Sequence, residues 1–315
     1  MTKKTTDTPD TKKSEQEASA PALIGKNTVV TITIPWATAE GAYKKAKQKV
    51  ASTAKIAGFR KGKVPADVAE KMLGVGEIIE KAIEFVLPEA YKTTLEKEKK
   101  LPLTQPAFRG VRLELGSDWI IEAEIAEKPA ITLGDYKKAV VEAGKHVAED
   151  LAAASKKTDS KEETDGGQIP QTLTPEQEKD FKLQHIYRHL IEAIKPQVPE
   201  LLVRREVEYD IEQLGQQLQS IKMPFEDYLK RRGITQDQLT QQMALSALGR
   251  LQLLFIVDAL ARENKLEASD ADITAYIEQK VEPTIREQYI HNEEYRQMVA
   301  QTIVRQKVAD QLLAI

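Results

Sequence analysis

The sequence predicts two folded parts of different class: an α+β N-terminal domain, in which a small antiparallel sheet covers a helix hairpin, and an all-α C-terminal domain with long helical arms. Three observations carry this. Period-two apolar alternation occurs before residue 130, and no strand pattern appears after residue 175. Apolar residues beyond residue 175 recur at three- and four-residue spacing. Between the two regimes lies a stretch that includes "SKKTDSKEETDGG", with no apolar residue at all.

The elements follow in order. Residues 1–22 hold Lys, Thr, Asp, Glu and Ser without an apolar core, which excludes a secretory leader and predicts a disordered tail. Val30, Ile32 and Ile34 alternate with Val29, Thr31 and Thr33 in a strand that Pro35 ends. Thr38 is placed to cap a helix with Tyr43, Ala46, Val50, Ala54 and Ala57 inward and lysines outward, and Gly58 to stop it. Pro65 suits the start of a second helix, interrupted at Gly74-Val75-Gly76 and resumed through Ile79, Ile83, Val86 and Ala90. Val111, Leu113 and Leu115, a turn at Gly116-Ser117-Asp118, then Trp119, Ile121, Ala123 and Ile125 read as a β-hairpin. The N-terminal domain is expected over 23–143 and a flexible linker over 144–173.

Order resumes at Thr174-Pro175-Glu176-Gln177, a capping box with proline at the first helical position. Val203, Val207, Ile211, Leu214, Leu218 and Ile221 mark a long helix packed against another in coiled-coil fashion. The 238–262 stretch is apolar around most of its circumference and is expected to be buried. Ser269 with Asp272 caps a further helix, and Tyr295, Val299, Ile303, Val308 and Leu312 face inward on the last one. The 174–315 region is expected to fold alone.

Composition narrows the function. There is no cysteine, which excludes disulfide and thiolate chemistry and suits a cytoplasmic protein. The most apolar run, 251–257, is far shorter than the ~20 residues a membrane helix needs, so no membrane partner is expected. Net charge is −3, but its distribution is uneven. From Ala37 to Lys63 there are eight Lys or Arg and one acid, Glu40. A basic projection on an otherwise acidic chain fits a polyanionic partner bound at one place.

That projection ends in "GFRKGKVP", residues 58–65. An aromatic beside a guanidinium and two ammonium groups, in a segment bracketed by glycines, is the chemistry of docking onto RNA or RNA–protein surfaces. It is not a phosphate-binding loop, which needs one more spacer and a Ser or Thr after the lysine. His185 and His189 lie at i and i+4, a metal-compatible spacing, but lack a third ligand and read as surface residues on a polar face. No catalytic residue, metal or cofactor is expected.

The loop at the tip of a helix hairpin, following a Val-Thr-Ile-Thr-Ile strand, resembles the ribosome-docking signature of the trigger factor family of bacterial chaperones. The similarity resumes at Val198-Pro-Glu-Leu-Leu-Val-Arg-Arg-Glu206, which looks like the family's entry to its arms. The resemblance implies that Gly58, Phe59, Arg60, Lys61, Gly62 and Lys63 bind the ribosome. The implied partners are the large subunit near the exit tunnel, through protein and RNA, and nascent or unfolded chains; a weak homodimer is compatible. It implies an ATP-independent holdase with a helical cradle. The sequence departs from the family where a prolyl isomerase domain of the FK506-binding type usually sits. The 144–173 stretch is too short for one, so isomerase activity is not expected, although the family label suggests it. An RNA-binding or ribosome-assembly factor using the same loop is the alternative.

Overall fold

The computed structural model describes residues 23–55, 59–60, 62–156 and 174–315, so the expected N-terminal tail lies outside the described residues. The N-terminal module runs β2 (Thr28–Ile34), α1 (Trp36–Thr53), α2 (Ala66–Leu73), α3 (Val75–Glu98), β3 (Ala107–Arg112) and β4 (Trp119–Ile125), preceded by a two-residue β1 (Ile24–Gly25). The sheet order is β2-β4-β3, with both pairings antiparallel. Strict alternation puts Val30, Ile32 and Ile34 on the same face as Trp119, Ile121, Ala123 and Ile125, all buried. That face closes on Ala39, Ala42 and Ala46 of α1 and on Ile78, Ile79 and Ala82 of α3. The small residues let α1 and α3 approach the sheet closely, and each buried isoleucine contributes roughly 1.5–3 kcal/mol.

Several local expectations change. Helix α1 begins at Trp36, with Pro35 rather than Thr38 as cap. Asp118, from the turn before β4, accepts from the Trp36 N–H at 2.8 Å and fills the capping role from a distance. The helix ends at Thr53, before Gly58. The Ala54 N–H still donates to the Val50 carbonyl at 2.8 Å, but Ala54 itself is extended, with φ −61° and ψ 143°, and the helix stops there. The edge strand is Ala107–Arg112, not the Val111–Leu115 alternation. A register irregularity falls at Val111, between the Gly110–Ile121 and Arg112–Ile120 pairs; Val111 and Leu115 are exposed, while Leu113 packs on the core.

The helical part contains α4 (Tyr136–Lys156), α5 (Pro175–Ile194), α6 (Glu200–Ser220), α7 (Phe225–Arg232), α8 (Gln236–Glu263), α9 (Asp270–Lys280), α10 (Arg286–Ile290) and α11 (Glu293–Leu313). Thr174–Gln177 and Ser269–Asp272 form capping boxes as expected, and Thr235–Gln238 forms a third. The expected linker is helical as far as Lys156, because α4 carries core residues: Tyr136, Ala139, Val140 and Ala143 pack with Ile186 and Leu190 of α5, Ile256 and Leu260 of α8, and Leu312 of α11. Residues 157–173 lie outside the described residues.

Helix α8 is long and apolar enough, by length and composition, to cross a membrane, a property the shorter 251–257 run hides. It is the central helix here, with ten side chains buried against its neighbours. It is not buried all round, however: Leu245 and Leu254 face outward. Helices α6 and α8 pair antiparallel as an arm, with Arg250 bound to Glu206 and Asp210, and α7, which has no buried residue, connects them. Ile211 and Ile221 of the expected α6 stripe are exposed.

One short strand does occur after residue 175. β5 (Val198–Pro199) pairs parallel with β1 and ties the two modules together. Beside it, Asn27 accepts from the Leu201 N–H at 2.7 Å and donates to Glu200 at 3.0 Å, capping α6 from the N-terminal module. Ala126 and Ile131 join the cluster of Val198, Leu201, Leu251 and Phe255, so apolar packing crosses the junction.

Candidate functional site

The charged loop connects α1 to α2. Its base is fixed by Val64, only 7% exposed, which packs with Ala51 of α1 and Ala69 of α2. Pro65 then caps α2. Above that anchor the Lys63 N–H donates to the Arg60 carbonyl at 3.0 Å, and Gly62 has φ +81°, a conformation that a residue with a Cβ rarely adopts. The turn leaves Phe59 42% exposed and Arg60 and Lys63 in solvent. Gly58 and Lys61, also expected at the site, lie outside the described residues.

The basic charge is sorted between structure and surface. Lys47 sits between Asp67 and Glu70 at 2.5 Å each, and the Tyr43 hydroxyl donates to Glu70 at 2.5 Å. This clamp joins α1 to α2 beneath the loop. Burial, then the bond to Glu70, pushes the Tyr43 hydroxyl up to about 12. The Lys47 hydrogen bond holds the Glu70 carboxyl below the usual range, with Tyr43 adding to it. Lys44 pairs with Glu40 at 2.8 Å, and the Lys45 ammonium lies 5.0 Å from the Phe85 ring centre. Among the described residues no ion pair engages Lys49, Lys55, Arg60 or Lys63. The outward charge therefore concentrates at the α1 end and the loop, beside an aromatic ring that the protein leaves in water. That arrangement can meet phosphates or carboxylates while offering a flat apolar face.

Sequence reasoning missed the clamp. Its signal was present: Tyr43 and Lys47 are four apart on one helix, Asp67 and Glu70 three apart on the next. Their facing became visible only once Val64 fixed how the helices meet.

The histidine pair is placed differently from its expectation. His185 is buried against Phe181, ring centres 4.5 Å apart, while His189 stacks on His146 of α4 at 5.2 Å. The His189–His146 stack joins α5 to α4. Among the described residues no three His, Asp or Glu side chains gather in a metal-holding group.

Fold and site define a two-module protein: a sheet-backed helix pair presenting a cationic aromatic loop, fused to a helical body with an arm. Residues 19–158 match the family described as bacterial trigger factor protein, and residues 169–314 match that family's C-terminus. The chain belongs to the trigger factor family. Ten residues, 159–168, separate the two matches, too few for a folded domain between them. Relatives include the trigger factor of Staphylococcus epidermidis, 36% identical over 118 residues, which are 38% of this chain and 27% of that one. That of Lachnoclostridium phytofermentans is 44% identical over 117 residues, 36% and 27% of the respective chains. That of Lactococcus lactis subsp. cremoris is 42% identical over 98 residues, 31% and 23%. The matched stretch thus spans about a quarter of each relative. A solved structure, from work on promiscuous substrate recognition in folding and assembly by the trigger factor chaperone, shares the fold. It has a TM-score of 0.55 at 14% identity and covers 91% of this chain and 96% of its own.

Proposed function

We propose that the protein is an ATP-independent chaperone that docks on the large ribosomal subunit near the exit tunnel and holds nascent or unfolded chains against its helical arms. The observation that carries the docking step is Phe59 standing 42% exposed beside Arg60 and Lys63, which have no ion pair among the described residues. Family membership supports the same reading. Arg60, Lys61 and Lys63 meet ribosomal RNA phosphates or acidic ribosomal side chains, Phe59 supplies an apolar anchor, and Gly62 sets the turn; Gly58 lies at the loop's start. Holding without nucleotide energy requires weak, distributed contact. Tyr209 and Ile211 of α6, Ile221 just beyond it, and Leu245 of α8 expose apolar side chains of that kind. No isomerase step is assigned.

Co-sedimentation with ribosomes across a salt series tests docking. Wild type is expected to pellet at low salt and to be released progressively as salt rises. The Phe59→Ala/Arg60→Ala/Lys61→Ala variant is expected in the supernatant throughout, with unchanged helix content by circular dichroism. A variant that pellets like wild type would overturn the docking assignment. Binding to naked ribosomal RNA in preference to intact ribosomes would favour the RNA-factor reading.

A further inference from the structure

Helix α2 has little apolar packing of its own. Ala69 is its one buried residue, and the small cluster it forms with Ala51 and Val64 is separate from the main core of the N-terminal module. A polar path ties α2 to that core instead. The Tyr43 ring is buried in the core with Ala46 and Ile78, and its hydroxyl donates to Glu70 at 2.5 Å. Lys47, one turn further along α1, bridges Glu70 and Asp67 at 2.5 Å each. Asp67 stands in the first turn of α2, two residues after Pro65, where the charged loop ends. The loop also rests on the end of α1: a Cβ at Gly62 would stand 3.7 Å from the Ser52 carbonyl oxygen. Contacts thus run from the core, through Tyr43, Glu70, Lys47 and Asp67, to the base of the loop.

We propose that Tyr43, Lys47, Asp67 and Glu70 are positioning residues for docking. They hold α2, and with it the Arg60–Lys63 turn, in the arrangement that receives a polyanionic surface, and Lys47 itself does not contact the ribosome. The proposal rests on the docking reading and divides the work within that site. A binding loop held in its bound arrangement before contact avoids an ordering cost that would otherwise be subtracted from affinity. The sequence presents eight Lys or Arg between Ala37 and Lys63 as equivalent candidates for phosphate. The structure separates them. Lys63 is exposed, without an ion pair among the described residues, and is free to displace counterions from phosphate. The Lys47 side chain is only 20% exposed and its charge is already met by two carboxylates of its own module, so it acts through geometry.

Charge and geometry predict opposite outcomes for one variant. Asp67→Asn/Glu70→Gln removes two negative charges beside the loop. If charge alone governed docking, the variant would bind a polyanion more tightly. Positioning requires it to bind more weakly. The test is ribosome co-sedimentation of the full chain across a salt series, at a temperature where circular dichroism shows each variant folded. The double variant is expected to bind about tenfold more weakly than wild type. The slope of log affinity against log salt should stay the same, because no phosphate contact is lost. Lys63→Ala, the reference, loses such a contact, and its slope should flatten by about one. Tyr43→Phe changes no charge and is expected to weaken binding by a smaller factor at unchanged slope; it decides the matter if the double variant does not fold. A second readout needs no ribosome. The chain has no cysteine, so Phe59→Cys carries a single nitroxide label, whose electron paramagnetic resonance spectrum should show a more mobile loop when the clamp is cut. Binding equal to or tighter than wild type by the folded double variant, or by Tyr43→Phe in its place, overturns the proposal, as does an unchanged nitroxide spectrum; wild-type docking then stands. If wild type itself does not bind ribosomes, the docking reading fails and the proposal fails with it.

Discussion

Lys47 and Lys63 belong to one basic segment and have opposite fates. Lys47 is only 20% exposed and is spent on Asp67 and Glu70, where it aligns α1 and α2; Lys63 projects from the loop those helices frame. The clamp has a pH signature. The Glu70 carboxyl is held below its ordinary value of 4.5, so it contributes stability above that pH and loses it as the pH falls through its lowered folded value. Wild-type thermal stability should therefore decline below about pH 4.5. Glu70→Gln should be less stable than wild type at neutral pH and should converge with it in acid, as followed by melting curves; parallel curves at every pH would count against the clamp. At this scale the sequence was legible in kind but not in role. Eight cations in one segment predicted a binding surface. Which of them would be internally neutralised depended on α2, whose position no spacing within α1 encodes. His185 was misread for a similar reason: its burial is set by tertiary packing around α5, which the spacing of two histidines does not encode.

Among the elements, those with strong periodicity and chemical caps were the most legible. β2 and β4 alternate as read, and the Thr174 and Ser269 capping boxes fall where the sequence puts them. Elements ended by tertiary partners were not. α1 starts on a carboxylate 82 residues away, and β3 carries a register irregularity near its end that leaves Val111 exposed. The break between α2 and α3 was visible as glycine, and the structure explains why. Gly74 has φ 90° and ψ 155°, a region essentially closed to other residues, yet a Cβ there would meet nothing within 4 Å. Gly74→Ala is accordingly expected to destabilise by about 1–3 kcal/mol through the backbone alone. Chemical denaturation would show this as a lower midpoint with an unchanged slope. An unaltered midpoint would mean the break tolerates a side chain.

In the whole molecule, the helical body draws its core from both sides of the junction. Leu133, Tyr136, Val140 and Ala143 complete the cluster built by Ile186, Leu190, Ile256 and Leu312, so a fragment beginning at residue 174 lacks one wall of its own interior. The 174–315 fragment is thus expected to melt well below a 129–315 fragment, contrary to what the sequence suggests; equal melting temperatures would show α4 to be dispensable. The β1–β5 pairing and the Asn27 cap seat that body on the module carrying the loop, so the loop and the arm are held in a fixed relation. The most direct test of this arrangement is site-specific photocrosslinking from position 59. With benzoylphenylalanine in place of Phe59, irradiation in the presence of ribosomes is expected to give adducts with large-subunit components near the exit tunnel, lost at high salt. Adducts confined to the protein itself, or none on the ribosome at any salt concentration, would contradict the account.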